Sequence, residues 1–271
     1  MQATIIERRT GLTPVNPMEL WESRELLFFL VWRDIKVRYK QTALGASWAI
    51  IQPLLNMLIF TFLFRKLAKM PSDGLPYPLF VLAGLLPWTF FSNSLGTATQ
   101  SLVGSSQLIT KVYFPRLIIP LSSVIAGLVD FGITFVLMFG AMAFYGASFH
   151  LSLFMLPGLV LVTALTAFGI GSGVAALTVA YRDFRYVVPF TVQLWMFVTP
   201  VVYPLSVIPS RWRWVVNVNP VAGIIEAYRS SFFSMPMPWG QFWLSLLSAA
   251  CLFLAGTTYF RKVERGFADI I

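Results

Sequence analysis

The chain has 271 residues, 57% of them hydrophobic and only 11% charged, with a formal net charge of +9. An average soluble domain is about 25% charged, so this chain lacks the polar surface to cover itself in water and reads as a multi-spanning membrane protein. Its long unbroken apolar stretches exclude a transmembrane barrel of alternating strands, its cations gather at the ends of those stretches and not in a nucleic-acid-binding patch, and the single Cys251 excludes an intrachain disulfide.

Residues 1–16 are polar, read as a flexible N-terminus, and lack the apolar core of a signal peptide. Asn16, Pro17 and Glu19 make a helix start: a side-chain acceptor, a proline whose missing N–H costs nothing, and a carboxylate three residues after the cap. The helix predicted over 17–33 is polar to Glu25 and apolar on every face from Leu26 to Trp32. Seven apolar residues cannot cross about 30 Å of hydrocarbon at about 1.5 Å each, so it reads as an amphipathic interface helix on the cytoplasmic surface. Arg33, Lys36, Arg38 and Lys40 then run directly into the first apolar stretch. Cations at such a junction hold it to the anionic inner leaflet by about 1 kcal/mol each.

Six spans are predicted, at about 48–64, 78–95, 117–145, 153–180, 187–203 and 242–260. Gly84 and Pro87 break the second, Pro189 and Pro200 fall in the fifth, and Gly169, Gly171 and Gly173 let a neighbour approach the fourth closely. The polar stretch 96–116 is longer than a plain connector. It reads as a coupling loop in which Ser101 to Thr110 form a short helix offered to a soluble partner. Between spans five and six, 205–238 carries four prolines and no clean span, and reads as two short re-entrant helices turning near Asn217 to Pro220. The fold class is therefore an all-α membrane protein with six transmembrane helices, an N-terminal interface helix and outer re-entrant helices, all in one domain over 17–271. Six crossings place both termini on one side, and 14 of the 20 Lys and Arg fall on that side, which makes it cytoplasmic; Arg65, Lys66 and Lys69 run against the pattern.

Chemistry is sparse. His150 is the sole histidine, so neither a His-rich metal site nor a zinc thiolate cluster is available, and no phosphate-cradling loop occurs. No catalytic residue is assigned, no cofactor is expected on this chain, and any ATP and Mg belong to a partner. Asp130 falls in the middle of span three, where an ionisable group is costly and faces protein or water; it reads as a pathway-lining residue, with a proton-coupled secondary transporter as the rival reading. Trp48, Trp88, Phe91 and Trp195 lie at span ends or beside breaks and are candidates to line a conduit, where flat rings stack on sugars. Trp212, Trp214, Glu226 and Arg229 are candidates for an outer gate.

Four stretches together carry a resemblance: RDIKVRYKQTALGASWAIIQP at 33–53, KVYFPRLIIP at 111–120, YRDFRYVVPF at 181–190 and NPVAGIIEAYRSSFF at 219–233. They resemble, over about residues 18–265, the transmembrane subunit of type-2 ABC exporters for polysaccharides, closest to the O-antigen permeases and more distantly the capsule and teichoic acid permeases. The resemblance implies a non-catalytic homodimer in the bacterial inner membrane, each copy docked to an ATPase subunit and moving a lipid-linked polysaccharide outward. Carried over by position, Glu22 and Arg24 in the interface helix and Ser101, Ser105, Gln107 and Leu108 in the coupling helix would touch the ATPase. Charge alone adds Arg33, Arg38 and Lys40 at the cytoplasmic mouth, where cations can hold a lipid diphosphate.

Overall fold

Helices alone make up the regular structure of residues 17–40 and 47–267, the part described by the structure, a computed structural model. The flexible N-terminus with its Asn16 cap, residues 41–46 of the basic junction and the last four residues lie outside the described residues.

The first helical segment comprises α1 (Pro17–Glu22) and α2 (Arg24–Tyr39), split at Ser23. The helix therefore does not stop at residue 33 but runs through the basic stretch. Its contacts also climb: Arg33 donates to Ser105 Oγ at 3.5 Å, Asp34 accepts from Ser122 at 3.3 Å, and Arg38 and Tyr39 reach Asp130. The second half of α2 thus runs alongside the third of the long apolar helices, Ile118–Phe144. Leu30, fully buried, anchors that face, while Phe28, Phe29 and Trp32 stay exposed.

Five helices are long and apolar enough to cross a membrane, at Trp48–Leu67, Tyr77–Gly104, Ile118–Phe144, Leu151–Ala180 and Trp239–Val263. They make the chain a multi-pass membrane protein. The first is α3 (Trp48–Phe60) continued by a wider π-type turn over Thr61–Leu67. The second, α4 (Tyr77–Gly104), is not broken at Gly84 or Pro87 and extends well past residue 95. Its polar end stays helical because the hydroxyls turn back on the helix: Thr97 donates to Asn93 O, Thr99 to Leu95 O and Ser101 to Ala98 O at 2.7–2.9 Å. Consequently the short helix that follows, α5 (Ser106–Lys111), is only the second half of the expected 101–110 segment.

Next come α6 (Ile118–Phe144) and α7 (Leu156–Ala180), the latter after a 3-10 turn over Leu151–Met155. The fifth expected span is a shorter apolar helix, α8 (Phe184–Val198), about 22 Å long at about 1.5 Å per residue. It ends at Thr199, whose backbone is extended ahead of Pro200. Then α9 (Arg213–Val218) and α10 (Ala222–Phe233) meet at an extended Asn219, and α11 (Trp239–Val263) closes the chain.

The spine of the fold is α4, buried without interruption from Leu79 to Trp88. Around it pack α6, α7 and α10, with α11 against α7. Glycines set how closely they approach: a Cβ at Gly173 would lie 2.8 Å from Gly256 Cα, and one at Gly171 2.8 Å from Ala98 Cβ. By contrast α3 buries only Pro53 and Met57 of its own residues, and α8 only Val188.

Candidate substrate cavity

Because α3 and α8 stand away from the spine, a cavity of about 1180 Å3 opens between them, α4, α6 and the end of α2. Aromatic and apolar groups form much of its wall, among them Trp48, Phe60, Trp88, Phe90 and Phe131. Between these sit Gln52 and Asn56 on α3, Asn93 and Ser94 on α4, and Gln193 on α8. Gln52 and Asn56 are four residues apart and so share one helix face. Flat rings interleaved with amides suit a carbohydrate, whose rings present apolar faces and hydroxyl edges.

Two residues of opposite charge face this space. Arg38 donates to Asp130 Oδ2, and the Tyr39 hydroxyl donates to Asp130 Oδ1. Both charged side chains keep 30% of their surface exposed, and both line the cavity. Partial burial and the bond to Asp130 push the Tyr39 phenol up to about 12, so it stays a donor at neutral pH. Sequence reading singled out Arg38 and Asp130 separately, 92 positions apart, and nothing in the linear pattern joins them.

The other predicted residues fall in several places. Of the cations at the expected mouth, Arg33 is turned to Asp34, with its Nη2 2.8 Å from Oδ1, and Lys40 is exposed at the end of α2. Of the four aromatics, Trp48 and Trp88 line the cavity. Phe91 and Trp195 do not; they lie behind Trp88, with ring centres 5.3 Å apart in an edge-to-face pair, and Trp195 donates to Asn219 Oδ1 at 3.2 Å.

Of the residues expected at an outer gate, Trp212 and Trp214 are exposed, whereas Arg229 is enclosed, with 2% of its surface accessible. It donates to Glu226 Oε1 at 2.6 Å and to Val201 O at 2.5 Å, and its guanidinium lies 3.8 Å from the centre of the Phe80 ring. Gly84 makes room, since a Cβ there would come 2.7 Å from Arg229 Nη2. Arg229 therefore pins α10 and the chain after α8 to α4, and Asn219 fixes the neighbouring turn by donating to Thr199 Oγ1 at 2.9 Å.

At the opposite end, Glu22, Arg24 and Gln107 are exposed, Ser101 is half-buried and Ser105 is buried. Leu108 packs inward against the core, so the exposed face of α5 carries Gln107, Thr110 and Lys111. A cluster that sequence reading missed holds this end together. Arg261 donates to Glu19 at 2.8 Å and to Glu264 at 3.1 Å, while Arg116 donates to Glu264 O. Helix α1, the chain before α6 and the end of α11 are thus fastened to one another. Charge placement flagged Arg116 and Arg261 only as topology signals, and Glu19 only as part of a helix start.

Long apolar helices thus enclose a cavity walled by rings and amides, within a multi-pass membrane protein. The chain belongs to the ABC-2 type transporter family, which matches residues 25–233. It is 32% identical to the O-antigen export system permease protein RfbA of Myxococcus xanthus, over 93% of this chain and 98% of that one. A protein of the same name from Klebsiella pneumoniae is 29% identical over 91% and 95%. The polysialic acid transport protein KpsM of Escherichia coli is 24% identical over 74% and 79%.

Proposed function

We propose that this chain is the membrane-spanning subunit of an ATP-driven exporter that carries a lipid-linked polysaccharide of the O-antigen kind across the bacterial inner membrane. The single observation that carries the reading is the large ring-and-amide cavity beside two loosely packed helices, in a chain whose full-length relatives are named O-antigen export permeases. Export of a capsule-type polymer by the same route is the nearest alternative, favoured by the likeness to KpsM.

In this reading α8 is a sixth crossing, both termini are cytoplasmic, and α9 and α10 re-enter from the outer side. A second copy covers the exposed faces of the first crossing, Trp48–Leu67, and of α8, where Leu58, Phe62, Phe190 and Phe197 are more than half exposed, and the two cavities join into one channel. The chain performs no chemistry of its own. Separate ATPase subunits bind ATP and Mg and push on α1 and α5, and the Arg261 cluster passes that movement to α6 and α11. Deleting the gene is expected to remove polymer from the cell surface while lipid-linked chains accumulate inside, read by gel analysis of surface and cytoplasmic glycans. Normal surface polymer in the deletion strain contradicts the reading.

A further inference from the structure

Among the described residues lining the cavity, Arg38 and Asp130 are the charged ones, and they satisfy each other. The guanidinium faces a cavity bounded by helices long enough to cross a phospholipid bilayer, and it is an obvious seat for any phosphate-bearing headgroup that enters, because its fork matches a phosphate with two hydrogen bonds. Ordinary lipids supply such heads at very high local concentration. An unpaired Arg38 would therefore be filled by bulk lipid. Paired, it presents no net charge, yet the pair is partly solvated and so worth little to break. If Arg38 turns away, Asp130 is not stranded, since the Tyr39 hydroxyl still donates to it.

We propose that Asp130 is a masking anion for Arg38: it keeps ordinary phospholipid heads off the guanidinium and yields it to a lipid phosphate that arrives joined to a sugar. The sugar supplies the difference, because Gln52, Asn56, Asn93 and Trp88 lie in the same cavity and contact a glycan that a plain phospholipid lacks. This rests on the lipid-linked polysaccharide cargo proposed above, with phosphate as the link between lipid and sugar, and adds a selectivity step to that reading.

The test uses the purified full-length chain in nanodiscs of phosphatidylcholine with increasing phosphatidylglycerol. The probe is farnesyl diphosphate carrying one sugar, with bare farnesyl diphosphate as the second arm. In the unsubstituted protein the sugar-bearing probe is expected to bind at least 10-fold more tightly than the bare one and to resist phosphatidylglycerol. Asp130→Asn, and independently Asp130→Ser, are expected to tighten phosphatidylglycerol binding about 10-fold and to let it displace the probe. Adding Arg38→Gln to either is expected to abolish that gain. Tyr39→Phe, which keeps the charge pair, is expected to change phosphatidylglycerol binding less than about twofold.

Unchanged or weaker phosphatidylglycerol binding in both Asp130 variants, or a gain that survives Arg38→Gln, overturns the proposal. Such a result leaves the export reading standing, because export is scored in cells and binding on the chain alone.

Discussion

At the scale of single residues, Arg229 and Glu226 show why a charged pair in a short helix between apolar ones is easily misread. Sequence offers only a polar pair amid apolar neighbours near prolines, which suits a gate as well as a brace. What distinguishes the two is Gly84, 145 positions away, whose missing side chain leaves room for the guanidinium. Removing one partner of an enclosed pair leaves the other uncompensated and costs about 3–5 kcal/mol. Arg229→Gln is accordingly expected to lower thermal stability in detergent sharply, and Gly84→Leu to do the same by steric exclusion. An Arg229→Gln variant of unchanged stability contradicts the brace.

Glu264 belongs to the same scale. Burial pushes its carboxyl above the usual carboxylate range, and the Arg261 guanidinium only partly offsets this. A carboxyl raised on folding contributes stability that is complete below its unfolded value, about 4.3, and is lost as pH rises through its folded value. Glu264→Gln is therefore expected to flatten the fall in unfolding temperature as pH rises from about 4 towards neutrality. Melting curves of both proteins across that range check it, and a steeper fall in the variant contradicts it.

At the scale of elements, long apolar runs and the glycines of α7 were legible because both signals are local. Continuous hydrophobicity of 20 or so residues needs no partner to be recognised, and small residues at helical spacing announce a close neighbour. Gly256 on α11 is met by two of the α7 glycines: a Cβ on Gly256 would run into Gly169 O, and one on Gly173 into Gly256 Cα. Gly256→Leu is expected to force α7 and α11 apart, seen as loss of the folded monodisperse species in size-exclusion chromatography, whereas substitution at Gly140, with open space around it, is expected to be tolerated.

Other boundaries escaped for physical reasons. The end of α4 is polar, and polarity reads as a loop unless the hydroxyls are known to satisfy carbonyls of the same helix. The extension of α2 to Tyr39 was hidden by the alternation of Ile35, Val37 and Tyr39 with cations, which has no helical period. Helix α5 carries a prediction of its own. Because Leu108 packs inward, substitution at exposed Gln107 is the cleaner probe of docking. Gln107→Glu together with Lys111→Glu is expected to reduce copurification of the ATPase subunit several-fold without lowering the melting temperature; retained copurification contradicts a docking role for α5.

At the scale of the whole molecule, composition made the membrane class legible, and the four resemblance motifs made the exporter family legible. The cavity was not. It is assembled from five helices, and its features, such as Arg38 against Asp130 or Trp88 in front of Trp195, exist only once α2, α4, α6 and α8 have been placed. The architecture is asymmetric in firmness: a glycine-packed spine of α4, α7, α10 and α11 against two weakly held helices, α3 and α8. Such a division suits a device whose rigid part transmits force from the Arg261 end while its loose part separates to admit a chain of sugars. On the proposed function, this force comes from a separate ATP-hydrolysing subunit. The most direct measurement is uptake of a lipid-linked glycan into inverted proteoliposomes containing this chain, with and without its ATPase partner. Accumulation only when the partner and ATP are both present is the predicted result; uphill accumulation by this chain alone, driven by an ion gradient, would contradict it.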